Sequence, residues 1–205
     1  MPKHRTKVER PLSALDVIFT RRSVRAYTGQ KLDQATVRAL LDAAVRAPTA
    51  MHAEPWFFLV IQDESTLKRY SDLTKTMSLA ELEQHAGLYW PPNAGRDRFV
   101  EQLGDPAFSA FYGAGTLIVI YGRSKGPLVT ADCWLAAENL VLAACALGLG
   151  TCVIGDAVDA FNSADAREEF RLPGEALAVA PIVVGVPVGP AAEALPRRDP
   201  EIIWW

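Results

Sequence analysis

Residues 130–147 carry only two charges, Asp132 and Glu138, and their apolar residues fall on every side of a helix. A helix that is apolar all round has to be buried all round. A chain of 205 residues provides a core for one face of it but little to cover the other. The segment therefore predicts a helix that serves both a core and a subunit interface. The length fits one domain over residues 1–205, about 1.4 at ~150 residues each. Half of the chain is hydrophobic (50%) and 22% is charged, which supplies a core and excludes a disordered polymer.

Lys and Arg number 21 against 24 Asp and Glu, a formal net charge of −3. That balance argues against a general nucleic-acid binder, whose footprint is a basic domain. Cys133, Cys145 and Cys152 form no CxxC pair, which predicts buried thiols in a reducing compartment. His4, His52 and His85 are scattered, so no zinc-ligand pattern exists and no metal is expected. The longest apolar stretch, 140–154, is broken by Gly148, Gly150 and Thr151, and is shorter than the ~20 residues that span a bilayer. The first residues, MPKHRTKVERP, are charged and lack the apolar core of a secretory signal. A cytoplasmic protein without membrane or nucleic-acid partners is the expectation.

Ser13 is a candidate N-cap for a short first helix that ends at the basic turn Arg21-Arg22-Ser23-Val24-Arg25. Asp33 is the next, opening a helix whose Val37, Leu40, Leu41, Ala44 and Val45 share one face and which Pro48 stops. The apolar runs 56–61 and 116–121 predict strands buried on both faces. A helix is expected over 65–73, followed by an aperiodic stretch, 74–113, too long for a plain connection and therefore a lid or binding loop. After the apolar helix and its stop at Gly148 come a short strand over 151–154, one or two short helices to Phe170, and a strand over 176–186. Helices alternating with apolar strands give an α/β or α+β sheet layered with helices.

Three segments carry chemistry. Arg21, Arg22 and Arg25 with Ser23 offer paired donors that can converge on a phosphate, or form a solvated basic turn. The loop from Pro48 through Thr49, Ala50, Met51 and His52 to Pro55 is stiffened by proline and keeps its backbone accessible. It is either a surface for a planar ligand or an ordinary helix-to-strand connection. Gly148, Gly150 and Gly155 do not form GxGxxG, which would need glycine at Val153; Gly155, at a strand end, would let a ring approach the backbone.

In order and spacing, TRRSVRAYTGQKL, LLDAAVRAPTAMHAEPWFFLVI, AAENLVLAACALGLGTCVIG, APIVVGVPVG and RRDPEIIWW together resemble the FMN-dependent nitroreductase family. The resemblance runs from Leu12 onwards, with a gap over 74–113. It implies an α+β three-layer sandwich, with a mainly antiparallel central sheet flanked by helices, built as an intertwined homodimer. It further implies FMN as cofactor, NAD(P)H as electron donor and a small nitroaromatic or quinone acceptor, turned over by a ping-pong mechanism. A flavin-storage protein without turnover, or a member with a different substrate, are the alternatives. By position in the motifs, Arg21, Arg22 and Ser23 resemble the residues that hold FMN phosphate and ribityl oxygens. Arg25 resembles the basic residue that reaches the pyrimidine end of the ring. Pro48, Thr49, Ala50, Met51 and His52 look like the loop that the other subunit lays along the flavin. Ile154 and Gly155 look like the backbone beside N5, and Arg197 or Arg198 completes the phosphate site. No side chain is implied as an acid or base, since the hydride chemistry belongs to the cofactor. His52 and Glu54 replace the usual Asn and Gln of that loop. Tyr89, Trp90, Phe99, Phe108, Phe111 and Tyr112 are the aromatic candidates for the lid, or are simple packing.

Overall fold

A computed structural model describes residues 12–84, 95–189 and 197–205. Strands β1 (Trp56–Ile61), β2 (Thr116–Gly122), β3 (Gly150–Val153) and β4 (Leu177–Gly185) form one antiparallel sheet in the order β1-β2-β4-β3. Strand β2 is buried along its whole length. Its alternate residues divide between two cores: Leu117, Val119 and Tyr121 join one, Ile118 and Ile120 the other. That is the period-2 rule acting on a strand with both faces covered. Strand β1 was expected to be equally buried, but it lies at the sheet edge and its residues Phe57 to Val60 are only half-buried. Apolar content alone does not distinguish an edge from a centre.

On one face lie α2 (Gln34–Ala44) and α5 (Pro127–Ala146), which bury Leu40, Ala44, Ala136 and Leu140 against Ile118 and Ile182. Asp33 caps α2 by accepting from the Thr36 N–H at 2.8 Å, and the helix ends at Ala44, before Pro48. Ser13 caps α1 (Ala14–Thr20) in a reciprocal box with Asp16. On the other face lie α3 (Glu64–Gln84), α6 (Val158–Asn162) and α7 (Ala164–Glu169), where Tyr70 stacks on Phe161 at 4.8 Å. The layers are helix, sheet, helix: the α+β sandwich that was expected.

Two expectations about helices change. The helix expected over 65–73 continues to Gln84, and α4 (Arg96–Gly104) occupies part of the stretch read as aperiodic. The cause is polar burial. Thr74 Oγ1 donates to the Tyr70 carbonyl at 2.8 Å, and Lys75 Nζ donates to the carbonyls of Asp105 and Phe108 at 2.6 and 2.9 Å. Buried residues that are not apolar break the pattern that reveals a helix. Helix α5 begins at Pro127, upstream of 130, and has the length and apolarity of a bilayer span. Here it packs one side on the sheet and leaves Leu128, Trp134, Leu135 and Leu147 exposed. It ends in a left-handed Gly148 (φ +73°), whose neighbour Leu149 returns its N–H to the Ala144 carbonyl at 2.9 Å.

Candidate functional site

The arginine turn becomes a strap along the β3 edge of the sheet. Helix α1 stops at Thr20, and Arg21 turns into extended backbone. Ser23 then bridges Thr151 in parallel, with the Val24 N–H donating to the Thr151 carbonyl at 2.8 Å. Gly150 makes this docking possible. A Cβ there would stand 2.8 Å from the Val24 side chain. Further along, the Tyr27 hydroxyl donates to the Val24 carbonyl at 2.8 Å, and the Thr28 N–H donates to the Val186 carbonyl at 3.0 Å. The strap is thereby fixed at both ends.

Arg22 curls back, donating through Nη1 to the Phe19 and Arg21 carbonyls at 2.9 and 2.6 Å. Its Nε is buried and has no hydrogen-bond partner. A buried unpaired donor on a cation costs about 1–3 kcal/mol or more, so this atom waits for an acceptor.

Arg25 points into a cavity of about 880 Å³, whose walls include Cys152, Ile154, Asp156, Tyr112 and residues of α4. That volume is typical of a small-molecule or cofactor site. Ile154 is held by donation of its N–H to the Pro181 carbonyl at 2.8 Å. Next to it, the Cβ position of Gly155 meets no protein atom within 4 Å. Burial raises the Cys152 thiol, and the charges of Arg25 and Arg21 oppose that rise. Burial followed by the charge of Glu81 raises the Asp156 carboxyl. Burial also raises the Tyr112 hydroxyl, against the pull of Arg25 beside it. Tyr112 sits at φ +53°, a strained conformation of the kind stored at functional sites.

Pro48 to His52 lie elsewhere. The loop precedes Trp56, which pairs with Gly122 at one end of the sheet, whereas Thr151 and its neighbours lie at the other end and on the opposite edge. Two strands separate those edges, about 14 Å at ~4.8 Å per strand. Within one chain the strap and this loop do not meet. The loop is nonetheless built to a fixed shape. Met51, His52 and Glu54 all take positive φ (54°, 52° and 43°), and Met51 is 90% exposed. Both carboxylate oxygens of Asp132, which is only 5% exposed, accept from the Ala50 N–H at 3.2 and 3.3 Å. Arg197 and Arg198 lie in an exposed tail that reaches Ile203, Trp204 and Trp205 without burying them.

Of the aromatic lid candidates, Phe99, Phe108 and Tyr112 line the cavity, while Phe111 is buried in the core. Tyr89 and Trp90 fall outside the described residues. Sequence reasoning missed Asp132, Gly150, Asp156 and the α4 pair Arg98 and Gln102, which face the cavity one turn apart. Only the last left a signal, two polar residues four apart in RDRFVEQLG. Among the described residues no group of acidic, histidine or cysteine side chains is arranged to hold a metal.

The sequence pattern of the Nitroreductase family matches residues 18–189. A relative from Archaeoglobus fulgidus is 29% identical over 141 residues, 69% of this chain and 66%, just under two thirds, of the relative. The 4-nitrobenzoate reductase of a Nocardioides species is 27% identical over 232 residues, covering 94% of this chain and 92% of that enzyme. Among solved structures, an FMN-bound nitroreductase from Bacteroides fragilis is similar with a TM-score of 0.72 at 24% identity, covering 91% of this chain and 95% of that one.

Proposed function

Because the chain belongs to the nitroreductase family, we propose that it is an FMN-dependent oxidoreductase that uses NAD(P)H to reduce a small nitroaromatic or quinone acceptor. The observation that carries this reading is the buried, unpaired Arg22 Nε on a strap that also presents Arg21, Ser23 and Arg25. An orphaned guanidinium nitrogen fits a terminal phosphate, and the open space beside Gly155 fits a planar ring. When bound, FMN supplies the hydride-accepting and hydride-donating chemistry. The chain supplies the rest. Arg21, Arg22 and Ser23 hold the phosphate and ribityl end. Arg25, in the cavity wall, places a positive charge where reduction puts negative charge. Ile154 and Gly155 present backbone to the ring, and the strained 48–52 loop supplies a rigid rim.

That rim belongs to a second copy. The loop and the strap stand at opposite corners of one sheet, so a homodimer brings one subunit's loop to the other's strap. The exposed apolar side of α5 supports this assembly. Residues 1–205 form one domain with a lid within 74–113, and Arg197 or Arg198 reaches the phosphate in the dimer. Donor and acceptor use one cavity in turn, a ping-pong scheme that gives parallel double-reciprocal lines. A cytoplasmic location agrees with the three free cysteines.

The test is the colour and the flavin. The purified protein is expected to be yellow and to release about one FMN per chain on heating, and to oxidise NAD(P)H with a quinone. FAD, or no flavin after reconstitution with FMN, contradicts the proposal.

A further inference from the structure

Helix α4 presents Arg98, Gln102, Phe99 and Leu103 to the large cavity. Arg98 and Gln102 are separated by one helical turn and share that wall. Neither side chain has a hydrogen bond or ion pair among the described residues. The remaining charged residues in the wall are Arg25 and Asp156. Burial and the nearby charge of Glu81 disfavour the ionised form of Asp156. Once Arg25 serves the flavin, Arg98 is the cation left among the described wall residues to meet a ligand, with the amide of Gln102 beside it. Phe99, Phe108 and Tyr112 supply aromatic surface in the same cavity, and Phe108 and Tyr112 stand edge to face at 5.7 Å.

Resting on the proposed function, we infer that the acceptor is an aromatic carboxylate. Arg98 acts as its specificity-determining residue and Gln102 as a second donor to the same carboxylate. The ring lies among the aromatic walls, and the guanidinium holds the anionic substituent in the paired geometry that Arg offers to two oxygens. The overall reaction balances without a further reactant. NAD(P)H gives a hydride and a proton comes from solvent. The acceptor's nitro group takes the two electrons and both hydrogens and loses one oxygen as water, leaving a nitroso group and NAD(P)+.

The experiment compares two acceptors of the same shape, 4-nitrobenzoate and 4-nitrobenzamide, on the flavin-loaded enzyme. It uses the wild type, Arg98→Met and Arg98→Lys, with the visible flavin spectrum recorded to show that each variant is folded and loaded. The wild type is expected to favour the carboxylate in kcat/KM. Arg98→Met is expected to reduce that preference about tenfold or more, the loss of one charge-assisted hydrogen bond, mainly through KM. Arg98→Lys is expected to restore part of it, because charge survives and bidentate geometry does not. A wild type that favours the amide, or a preference unchanged in Arg98→Met, overturns the assignment. The neutral quinone menadione separates the two layers of the argument. Turnover of menadione without selectivity for the carboxylate sinks the acceptor assignment alone. No turnover of any acceptor by loaded enzyme sinks the oxidoreductase reading as well.

Discussion

Arg22 and Arg25 are three residues apart and, in the proposed function, serve different ends of the site. Arg22 has a buried Nε without a partner, and Arg25 enters the cavity. Their substitution therefore separates two effects. Arg22→Ala is expected to weaken FMN binding about tenfold or more, the scale of a charge-assisted hydrogen bond, with little change in the reduction potential of the flavin that remains bound. Arg25→Ala is expected to retain FMN through Arg21, Arg22 and Ser23 while lowering the potential by about 30 mV, which is ~1.4 kcal/mol for two electrons. Fluorescence titration of FMN and spectroelectrochemistry measure the two quantities. The reverse pattern would exchange the assigned roles. These arginines were visible in the sequence because both fall within Arg21–Arg25, so one short segment already groups them. Asp132 was not, because its partner, the Ala50 N–H, lies 82 positions away. Arg98 was hidden by its setting in a segment whose periodicity is obscured.

At the scale of elements, the seam between strap and sheet depends on close approach. Gly150→Ala would drive a methyl into Val24, and the backbone bond from Val24 to Thr151 holds the strap there. The expected result is a strap displaced from β3, with lowered thermal stability and weakened FMN binding together. Wild-type values for both would show that the seam yields without cost. The sequence allowed a helix-stop reading of Gly148, which holds; the need at Gly150 is tertiary and left no local signal. Helix starts, by contrast, are local and were readable at Ser13 and Asp33. Asp63, not among those candidates, precedes α3 and accepts from Ser65 Oγ, the Thr66 N–H and Thr66 Oγ1 at 2.6 to 2.8 Å. These bonds hold its carboxyl down to about 2, below the ordinary 3.8. A carboxyl whose folded value lies below its unfolded one stabilises the fold above the unfolded value and loses that contribution as pH falls through the folded one. Asp63→Asn is therefore expected to melt below the wild type near neutral pH, with the gap closing as pH drops from about 4 to about 2. A gap independent of pH would show that the charge contributes nothing.

For the whole molecule, the sandwich was legible because its apolar strands and the apolar helix each announce themselves within a short window. The loop formed by Pro48 to His52 shows the limit. Its backbone shape is set within one chain, by the positive-φ residues Met51 and His52 and the Asp132 carboxylate, whereas the place proposed for it in a site needs a second copy. The side of α5 with Leu128, Trp134 and Leu135 is exposed in the single chain, as are Ile203, Trp204 and Trp205 in the tail. The central claim is that two copies complete each flavin site, and mass and bound flavin measured on one particle test it directly. Light scattering with visible absorbance across a gel-filtration peak is predicted to show twice the 22.3 kDa chain mass with about one FMN per chain. A 22.3 kDa particle that still carries its flavin, or a dimer that stays colourless after reconstitution with FMN, would contradict it.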